Sequence, residues 1–408
     1  MDGPVVNRDG LVIYAPPRPA MRGRYLIRNP RSVRIISTVD AALARWHPNR
    51  SPPVVPSQPR RILVADWAHL GNVLLALPAL QLLRTRFPRA EIGFLTGSWS
   101  RQVLEGTGLC DHVHLVDHFI LSRMKGGRLT KIRRYLEMRW RAVSEMRALG
   151  YDVAIDVGCH FPPASPLFYA AGIEVRAGFT CGGFGPLLTH PVAWVHTSRP
   201  ISDYPRDLLR ALWPSLPVAP GALAPCYPGY PRAELPAGLT TRPYIAVHMG
   251  SGAPNREWPE ENWAAAAAAL AADGCRLVFA GSSPREAERI RRVAAGLPAG
   301  TATIFVDRSW PEYVAMIVRA AHVVCLESSS AHVAAAFSVP TTAIYPGLNN
   351  FVQWGPSNPH ARVLTTPVGC APCYRNGGCE AMACIRGVTP ARVIATVRAA
   401  LGDTGLPK

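Results

Sequence analysis

A loop in the second half of the chain combines small residues with a cation. It reads GSGAPNREWPEENW and places Gly250, Ser251 and Gly252 ahead of Arg256. Small residues let the backbone approach a ligand closely, an arginine offers a charged fork for phosphate, and the helix that starts next attracts anions at its N-terminus. The segment predicts either a phosphate-binding loop or an ordinary connection between a strand and a helix, and its spacing alone does not separate the two.

A second polar loop, CLESSSAH, follows an apolar run and opens another helical pattern. Glu327 could accept hydrogen bonds from sugar or ribose hydroxyls. Ser328 and Ser329 offer donors, and His332 falls in the first helical turn. The structural alternative is a serine that caps the helix, with Glu327 exposed to solvent. Both loops are expected at the same end of one sheet, and this convergence favours a binding site.

Four of the ten cysteines lie close together in the segment VGCAPCYRNGGCEAMACIRG. A C-x2-C pair lets two thiolates reach one ion, and four thiolates suit zinc or a rubredoxin-like iron. The predicted ligands are Cys370, Cys373, Cys379 and Cys384. Because all four positions would be filled, we expect a structural rather than a catalytic metal; free thiols or disulfides in a loop are the alternative.

The chain is strongly basic. Its 408 residues carry 44 Lys and Arg against 27 Asp and Glu, a formal net charge of +17, and part of this excess lies in a helical pattern that includes Arg133 and Arg134. A positive surface favours nucleic acid, an acidic membrane leaflet or phosphorylated substrates, with a plain solvated helix face as the alternative. Nucleic acid is the weakest of these, because the chain has no helix-turn-helix signature, zinc-finger spacing or RNP-type aromatic motif.

The elements that must position these residues form two α/β domains. Apolar runs of strand length alternate with helical patterns, which predicts doubly wound parallel sheets covered on both faces. A proline-dense stretch interrupts this alternation and has the composition of a linker. We predict a leader at 1–58, a Rossmann-like domain at 59–199, a linker at 200–243, a second Rossmann-like domain at 244–388 and a helix with a tail at 389–408. The two domains would face a cleft.

Missing motifs disfavour several classes of protein. The chain lacks G-x-G-x-x-G at its first strand-to-helix turns and has no P-loop, which argues against a dinucleotide-dependent dehydrogenase and a P-loop NTPase. It has no Asp-x-Asp pair, so backbone amides, helix N-termini and cations would have to hold a nucleotide diphosphate. No run approaches the ~18 apolar residues of a spanning helix, and no signal peptide is recognisable. We therefore expect a cytoplasmic location, with peripheral contact at the inner face of the membrane left open.

Four segments in order resemble glycosyltransferase family 9, the heptosyltransferases. RILVADWAHLGNVLLALPALQLLRTRFPRAEIGFLTG is similar to the family's opening strand, its Leu-Gly-Asp turn and the helix that follows. VHMGSGAPNREWPEENW resembles the segment from His-Pro-Gly to Lys/Arg-x-Trp-Pro, and CLESSSAHVAAAFSVPTTAIYPG resembles Asp-Thr-Gly-x-x-His with its alanine-rich helix. WGPSNPHARVL follows as expected, so the likeness extends from about Arg61 to the C-terminus.

The resemblance implies a GT-B fold and transfer of a sugar, commonly heptose from an ADP-linked donor, onto lipopolysaccharide or another acceptor. Carried over by position, Arg256 would contact the donor phosphates and Glu327 the donor sugar, and Glu286 would match a further acidic contact. Ser328, Ser329 and His332 would complete the donor loop. The autotransporter-modifying members of the family resemble the cysteine segment as an iron-binding element.

The chain departs from the family on the acceptor side. Asn72 stands where the family has the Asp expected to act as general base, and an amide cannot take a proton. Either His69 or Asp66 is the base, or the acceptor differs, or turnover is slow or absent. Asn72 also suits the N-cap of a helix. Gly71 beside it would lie at the acceptor, and Arg133 and Arg134 would contact acceptor phosphates.

The leading hypothesis is an inverting GT-B glycosyltransferase without a catalytic metal. It would use a nucleotide-sugar donor similar to ADP-heptose and a glycan, lipid-linked or protein acceptor, either alone or as an oligomer. The alternative is a catalytically impaired, nucleotide-binding or scaffold homologue, motivated by Asn72. Nucleic-acid binding through the basic helix is the weakest hypothesis.

Overall fold

The computed structural model describes residues 5–6, 12–13, 25–27, 29–46, 51–122, 124, 126–195, 199–216, 218–219, 223–230, 233–253, 256–375 and 378–404. Its contacts divide the chain into two compact units. The N-terminal unit is Pro16–Ala224, and the C-terminal unit is Pro225–Lys408 together with Met1–Ala15. Two short antiparallel strands near the start of the chain are β1 (Val5–Val6) and β2 (Val12–Ile13).

A six-stranded parallel sheet forms the centre of the N-terminal unit. Its strands are β3 (Arg61–Ala65), β4 (Glu91–Thr96), β5 (His112–Leu115), β6 (Val153–Asp156), β7 (Val175–Phe179) and β8 (His190–Val192). Their order across the sheet is β5-β4-β3-β6-β7-β8. The apolar residues of β3 are fully buried, as expected for the central strand of a sheet that is covered on both faces. The strand order reverses between β3 and β6, and ligands bind at such a switch point, beyond the carboxyl ends of the strands.

Helices cover this sheet on both sides, as the alternating pattern predicts. They are α1 (Pro30–Trp46), α2 (Leu70–Arg86), α3 (Arg128–Leu149), α4 (Ser165–Ala170) and α5 (Pro205–Leu212), with short 3-10 helices at Ser98–Val103, Thr180–Gly182, Gly185–Leu187 and Ile201–Asp203. Helix α2 begins two residues before Asn72, with His69 at its N-cap, so the predicted start at Asn72 is wrong. Nine residues of α2 are buried, which is why the sequence shows an almost continuous apolar run there.

The predicted leader contains α1, and a buried carboxylate ties this helix to the N-terminal unit. Asp40 accepts hydrogen bonds from the hydroxyl of Tyr25 at 2.9 Å and from the backbone N–H of Phe184 at 2.7 Å. The sequence left the structure of this segment open, because the partner of Asp40 lies 144 residues further along the chain.

The stretch predicted as a linker, residues 200–243, contains the helix α5. This helix is packed into the protein and is not an extended connection. Leu208, Leu209 and Leu212 are buried, and the indole N–H of Trp213 donates to the carbonyl of Pro56 at 3.0 Å. Pro205 occupies the first helical turn, where the missing N–H costs nothing. Proline density in this part of the stretch therefore marks a helix start as well as loops.

The C-terminal unit repeats the same architecture. Its strands are β9 (Ile245–His248), β10 (Leu277–Gly281), β11 (Ala302–Val306), β12 (His322–Leu326), β13 (Thr341–Ile344) and β14 (Ala361–Leu364), all parallel, in the order β11-β10-β9-β12-β13-β14. The helices are α6 (Ala237–Thr240), α7 (Glu260–Ala272), α8 (Pro284–Ala295), α9 (Trp310–Val318), α10 (Ser329–Ala336), α11 (Phe351–Trp354), α12 (Ala383–Arg386) and α13 (Pro390–Thr404). The predicted pair of doubly wound α/β domains is confirmed.

Candidate active site

The switch point of the C-terminal sheet lies between β9 and β12, and both predicted donor loops begin there. His248 is the last residue of β9, and Ser328 follows β12; the imidazole Nδ1 and the serine Oγ are 3.4 Å apart. The two loops therefore meet, as expected from the parallel arrangement of their strands.

Glu327 is the central polar side chain of this region. Its Oε1 accepts a hydrogen bond from Nδ2 of Asn349 at 2.6 Å, whereas its Oε2 is buried and makes no hydrogen bond within the described part of the chain. Burial raises the pKa of Glu327, and the charge of Arg256 opposes that rise. A buried carboxylate oxygen that lacks a donor is costly unless a ligand supplies one. The alternative of a solvent-exposed Glu327 is wrong for this oxygen.

The loop that carries Arg256 is anchored at its base. The indole of Trp258 is fully buried and donates to the carbonyl of Val388 at 2.7 Å. The backbone N–H of Arg256 donates to the carbonyl of Ala253 at 2.9 Å, and Ser251 closes a turn on the same carbonyl at 2.7 Å. Gly250 is buried and Gly252 is exposed. The arrangement holds a half-buried guanidinium on a fixed turn, close enough to Glu327 for their charges to interact.

Glu286 has a structural task that the resemblance did not imply. Together with Ser283 it forms a capping box at the start of α8, and its Oε2 accepts from the backbone N–H groups of Ser282 and Ser283 at 2.8 and 3.0 Å. The other oxygen faces Gly250, where a Cβ atom would lie 2.0 Å from it. Gly250 is thus required for the close packing of the two loops.

The start of α10 supplies the remaining predicted donor residues. Ser328 donates to the carbonyl of Leu326 at 3.1 Å rather than capping the helix, and Ser329 is the first helical residue. His332 is buried, and burial lowers its pKa to about 4, so the ring is neutral at pH 7. Its Nδ1 makes no hydrogen bond within the described residues. Two buried polar atoms near one helix start, on Glu327 and His332, therefore have no hydrogen-bond partner among the residues described.

A second polar cluster occupies the switch point of the N-terminal sheet. Asp66 follows β3, and Asp156 ends β6, which is its neighbour in the sheet. Nε2 of His160 lies 3.6 Å from Oδ1 of Asp66. A Cβ atom at Gly158 would lie within 3.3 to 3.8 Å of all three side chains, so they surround this glycine.

Burial and charge couple the titration of this cluster. Burial, with the nearby charge of Asp66, raises the pKa of Asp156 to about 7, although the N–H groups of Ala164 and Gly158 favour the carboxylate. Burial opposes the imidazolium form of His160, but Asp66 outweighs it, and the pKa of His160 lies well above its usual value. Asp156 therefore titrates near neutral pH, and Asp66 favours the charged form of His160.

The other predicted acceptor residues border this cluster or lie on α3. His69 is exposed at the N-cap of α2, and Gly71 and Asn72 are half-buried in the first turn of that helix. Arg134 donates to Oδ2 of Asp117 at 3.0 Å, whereas Arg133 is exposed and pairs with Glu137. Both arginines thus have carboxylate partners within the N-terminal unit.

Comparison with known proteins relates both units to one family. The family model of glycosyltransferase family 9 (heptosyltransferase) matches residues 139–382, more than half of the chain. The chain belongs to this family. A lipopolysaccharide heptosyltransferase 1 of Pseudomonas aeruginosa is 25% identical to it over 328 residues, which cover 77% of this chain and 86% of the relative.

Solved structures show the same fold. A family 9 glycosyltransferase from Veillonella parvula matches with a TM-score of 0.67 and 20% identity, covering 86% of this chain and all of the other. The Escherichia coli heptosyltransferase WaaC, solved with ADP, matches with a TM-score of 0.65 and 18% identity over 83% of this chain and 99% of the other. The GT-B fold implied by the sequence is thereby confirmed, and this family 9 protein is a glycosyltransferase.

The predicted four-thiolate metal site is not formed. Within the described residues, no three His, Cys, Asp or Glu side chains lie where they could hold one ion. Cys384 is buried on α12, whereas Cys370 and Cys379 are exposed and Cys373 is half-buried. The short helix α12 places Cys384 in the core beside Gly347, whereas Cys370 and Cys379 face solvent.

The sequence did not single out Asn349, Asp156 or His160. Each lies just beyond or at the end of a strand, and the runs AIYPGLNN and DVAIDVGCH carry that signal. Strand ends in a parallel sheet are where such residues are sought.

The described residues include no helix that is both long and apolar enough to cross a membrane.

Proposed function

We propose that this glycosyltransferase moves heptose from ADP-heptose to a hydroxyl group of lipopolysaccharide. The observation that carries the proposal is the buried carboxylate of Glu327, which has one oxygen bound by Asn349 and the other without a donor in the part of the chain that the structure describes. A sugar hydroxyl is a donor of the kind that this oxygen lacks. The named activity of the Pseudomonas aeruginosa relative and the ADP bound to WaaC support this choice of sugar and nucleotide.

The proposed donor site needs no catalytic metal. Arg256 offers a fork to the diphosphate, and the N-terminus of α10 adds a positive partial charge. Both would stabilise the negative charge that develops on the leaving diphosphate. Glu327 would hold the sugar by its hydroxyl groups and so set the position of the anomeric carbon.

The proposed reaction is a direct displacement with inversion. The acceptor oxygen forms a bond to the anomeric carbon while the bond from that carbon to the phosphate oxygen breaks, and ADP leaves. The acceptor proton passes to a base of the N-terminal unit. Asp66 is our choice among the predicted bases, because it is buried beside His160 and Asp156, whereas His69 is exposed.

The first experiment is a thermal-shift titration with ADP, UDP, GDP and CDP. Binding at 100 times the dissociation constant adds ~2.7 kcal/mol of apparent stability. We expect the shift with ADP, and we expect Arg256→Ala to abolish it. Arg242→Ala is the matched control, since this exposed arginine precedes β9 at the opposite edge of the same sheet. No shift with any nucleotide, or equal loss in the control, would contradict the donor site.

Asn72 favours a second candidate, a homologue that binds nucleotide but has lost transfer. In that case the wild type shows the ADP shift without product, and Asn72→Asp restores transfer. If the wild type is active, Asn72→Asp should leave the rate nearly unchanged and Asp66→Asn should lower it by ~10²–10⁴. Product formation measured by mass spectrometry separates the two.

The acceptor of the proposed reaction is a membrane lipid. We therefore also propose that the protein works at the inner face of the membrane, in peripheral contact with anionic lipid.

A further inference from the structure

The outer side of α3 exposes large apolar side chains in a row. Leu129, Leu136 and Trp140 are 82%, 54% and 73% exposed. Their spacing of seven and four residues places them on one face of the helix, over about 16 Å of its length. We call these three residues, with Arg133 between them, the α3 outer face.

The first half of α3 is attached through its inner side and leaves this face uncovered. The buried residues of the helix, Ala142, Val143 and Met146, all belong to its second half. In the first half, Tyr135 packs on the ring of His118 with centroids 4.7 Å apart. The α3 outer face points away from these contacts and is exposed to solvent. Among the described residues, its apolar side chains therefore contribute little to the stability of the fold.

Positive charge surrounds the α3 outer face. Helix α3 contains seven cations and only two carboxylates, Glu137 and Glu145. Arg133 lies within the face itself and is 85% exposed at its side chain. At the start of the helix, a recess of about 400 Å³ is lined by Ile120, Arg128 and Lys131. Exposed apolar side chains and cations therefore continue from the face to the recess.

We infer that the α3 outer face docks on the surface of an anionic lipid bilayer. Leu and Trp side chains insert at the boundary between headgroups and acyl chains, and arginines pair with lipid phosphates. The cations repel a second copy of the same basic face, which argues against self-association through it. The inference rests on the proposed function only in that a lipid-linked acceptor gives the enzyme a reason to reach a bilayer.

The test is co-sedimentation of the full chain with vesicles of phosphatidylglycerol and phosphatidylethanolamine, compared with phosphatidylcholine vesicles. We expect binding to the anionic vesicles that weakens as salt is raised, since the Debye length shortens. The combined variant Leu129→Gln, Leu136→Gln and Trp140→Gln should lower the partition coefficient at least tenfold. Trp46→Gln is the matched control, because Trp46 is 86% exposed on α1 of the same unit; it should bind as the wild type does.

The ADP thermal shift, measured on the same samples, separates this inference from the proposed function. The combined variant should keep that shift and a normal unfolding temperature, because the three side chains are exposed. The single variant Trp140→Gln should give an intermediate loss of vesicle binding.

Equal binding of the combined variant and the wild type would overturn the inference, as would an equal loss in Trp46→Gln. A dimer in light scattering that the combined variant dissolves would also overturn it, by assigning the face to self-association. Loss of the ADP shift in the wild type would count against the proposed function alone.

Discussion

Nδ2 of Asn349 donates to Oε1 of Glu327 across 2.6 Å and leaves the second carboxylate oxygen buried without a donor among the described residues. Asn349 lies 22 residues after Glu327, in the loop that follows the next strand of the sheet. The pair fixes the orientation of the carboxylate, which lies close enough to Arg256 for their charges to interact. Asn349 is thus a positioning residue for the proposed sugar site.

Asn349→Ala should weaken the proposed donor binding through Glu327. A hydrogen bond to a charged group contributes about 1.5–3 kcal/mol, so we expect a ~10- to 100-fold higher dissociation constant for ADP-heptose. The pKa of Glu327, already raised by burial, should rise further, and the acid limb of the rate profile should move to higher pH. Isothermal titration and a pH profile measure both effects.

Asn350→Ala is the control for that substitution. Asn350 caps α11 by accepting from the N–H of Val352 at 3.0 Å, so its loss should lower stability by about 1 kcal/mol without moving the pH profile. An identical change of donor affinity in both variants would mean that the loop, rather than Asn349, sets the affinity.

Gly250→Ala should disturb both the loop that carries Arg256 and the start of α8. The new Cβ would lie 2.0 Å from Oε1 of Glu286, whose other oxygen is held by the capping box of α8. Moving Glu286 breaks that box, which costs about 0.5–2 kcal/mol, and it also shifts the loop before Arg256. Chemical denaturation and ADP titration should both show a loss.

Gly238→Ala is the matched control for Gly250→Ala, since a Cβ there meets no atom within 4 Å. We expect little change in its stability and none in ADP binding. A Gly250→Ala protein that behaves like this control would show that the loops can separate freely.

Asp156→Asn should change how stability depends on pH. The folded-state pKa of Asp156 is raised to about 7 by burial, above an unfolded value of about 3.9. A raised acid pKa means that the folded state binds more protons, so this group's stabilising contribution is complete below pH ~4 and is lost as pH rises through ~7. The variant should therefore gain stability relative to the wild type by up to roughly 1.4 kcal/mol for each pH unit between about 4 and 7.

Denaturant unfolding at several pH values measures this difference. Asparagine offers one acceptor oxygen for the N–H groups of Gly158 and Ala164, so the variant is expected to be less stable at pH 4. Parallel curves for the two proteins from pH 4 to 7 would contradict the raised pKa.

Chelation should leave the protein unchanged. Because the described cysteines do not assemble a metal site, the purified chain should contain well below one equivalent of zinc or iron, and EDTA should not shift its unfolding temperature. Elemental analysis by mass spectrometry checks this. One equivalent of metal that is lost in Cys373→Ser would contradict the arrangement of these thiols.

The sequence alone determined the architecture and the order of the loops. Apolar runs such as RILVA and HVVCL, alternating with helical patterns, are typical of central strands in a covered parallel sheet, and Ser283 with Glu286 is a capping-box pattern that acts within one helix turn. Residues near one another in the chain decide these features. For the same reason the sequence placed the two predicted donor loops at one end of the sheet, but it could not tell that the capping box occupies Glu286.

Only the tertiary structure decided which polar groups meet. Asp66 and His160 are 94 positions apart, and Glu327 meets Asn349 from another strand end, because neighbours in a parallel sheet are joined by long crossovers. Closeness along the chain also does not fix the burial of a side chain: Cys384 is buried on α12, whereas Cys370 and Cys379 are exposed. The burial of a titratable side chain, and with it the pKa, depends on every element packed around that side chain. Only the folded chain brings those elements together.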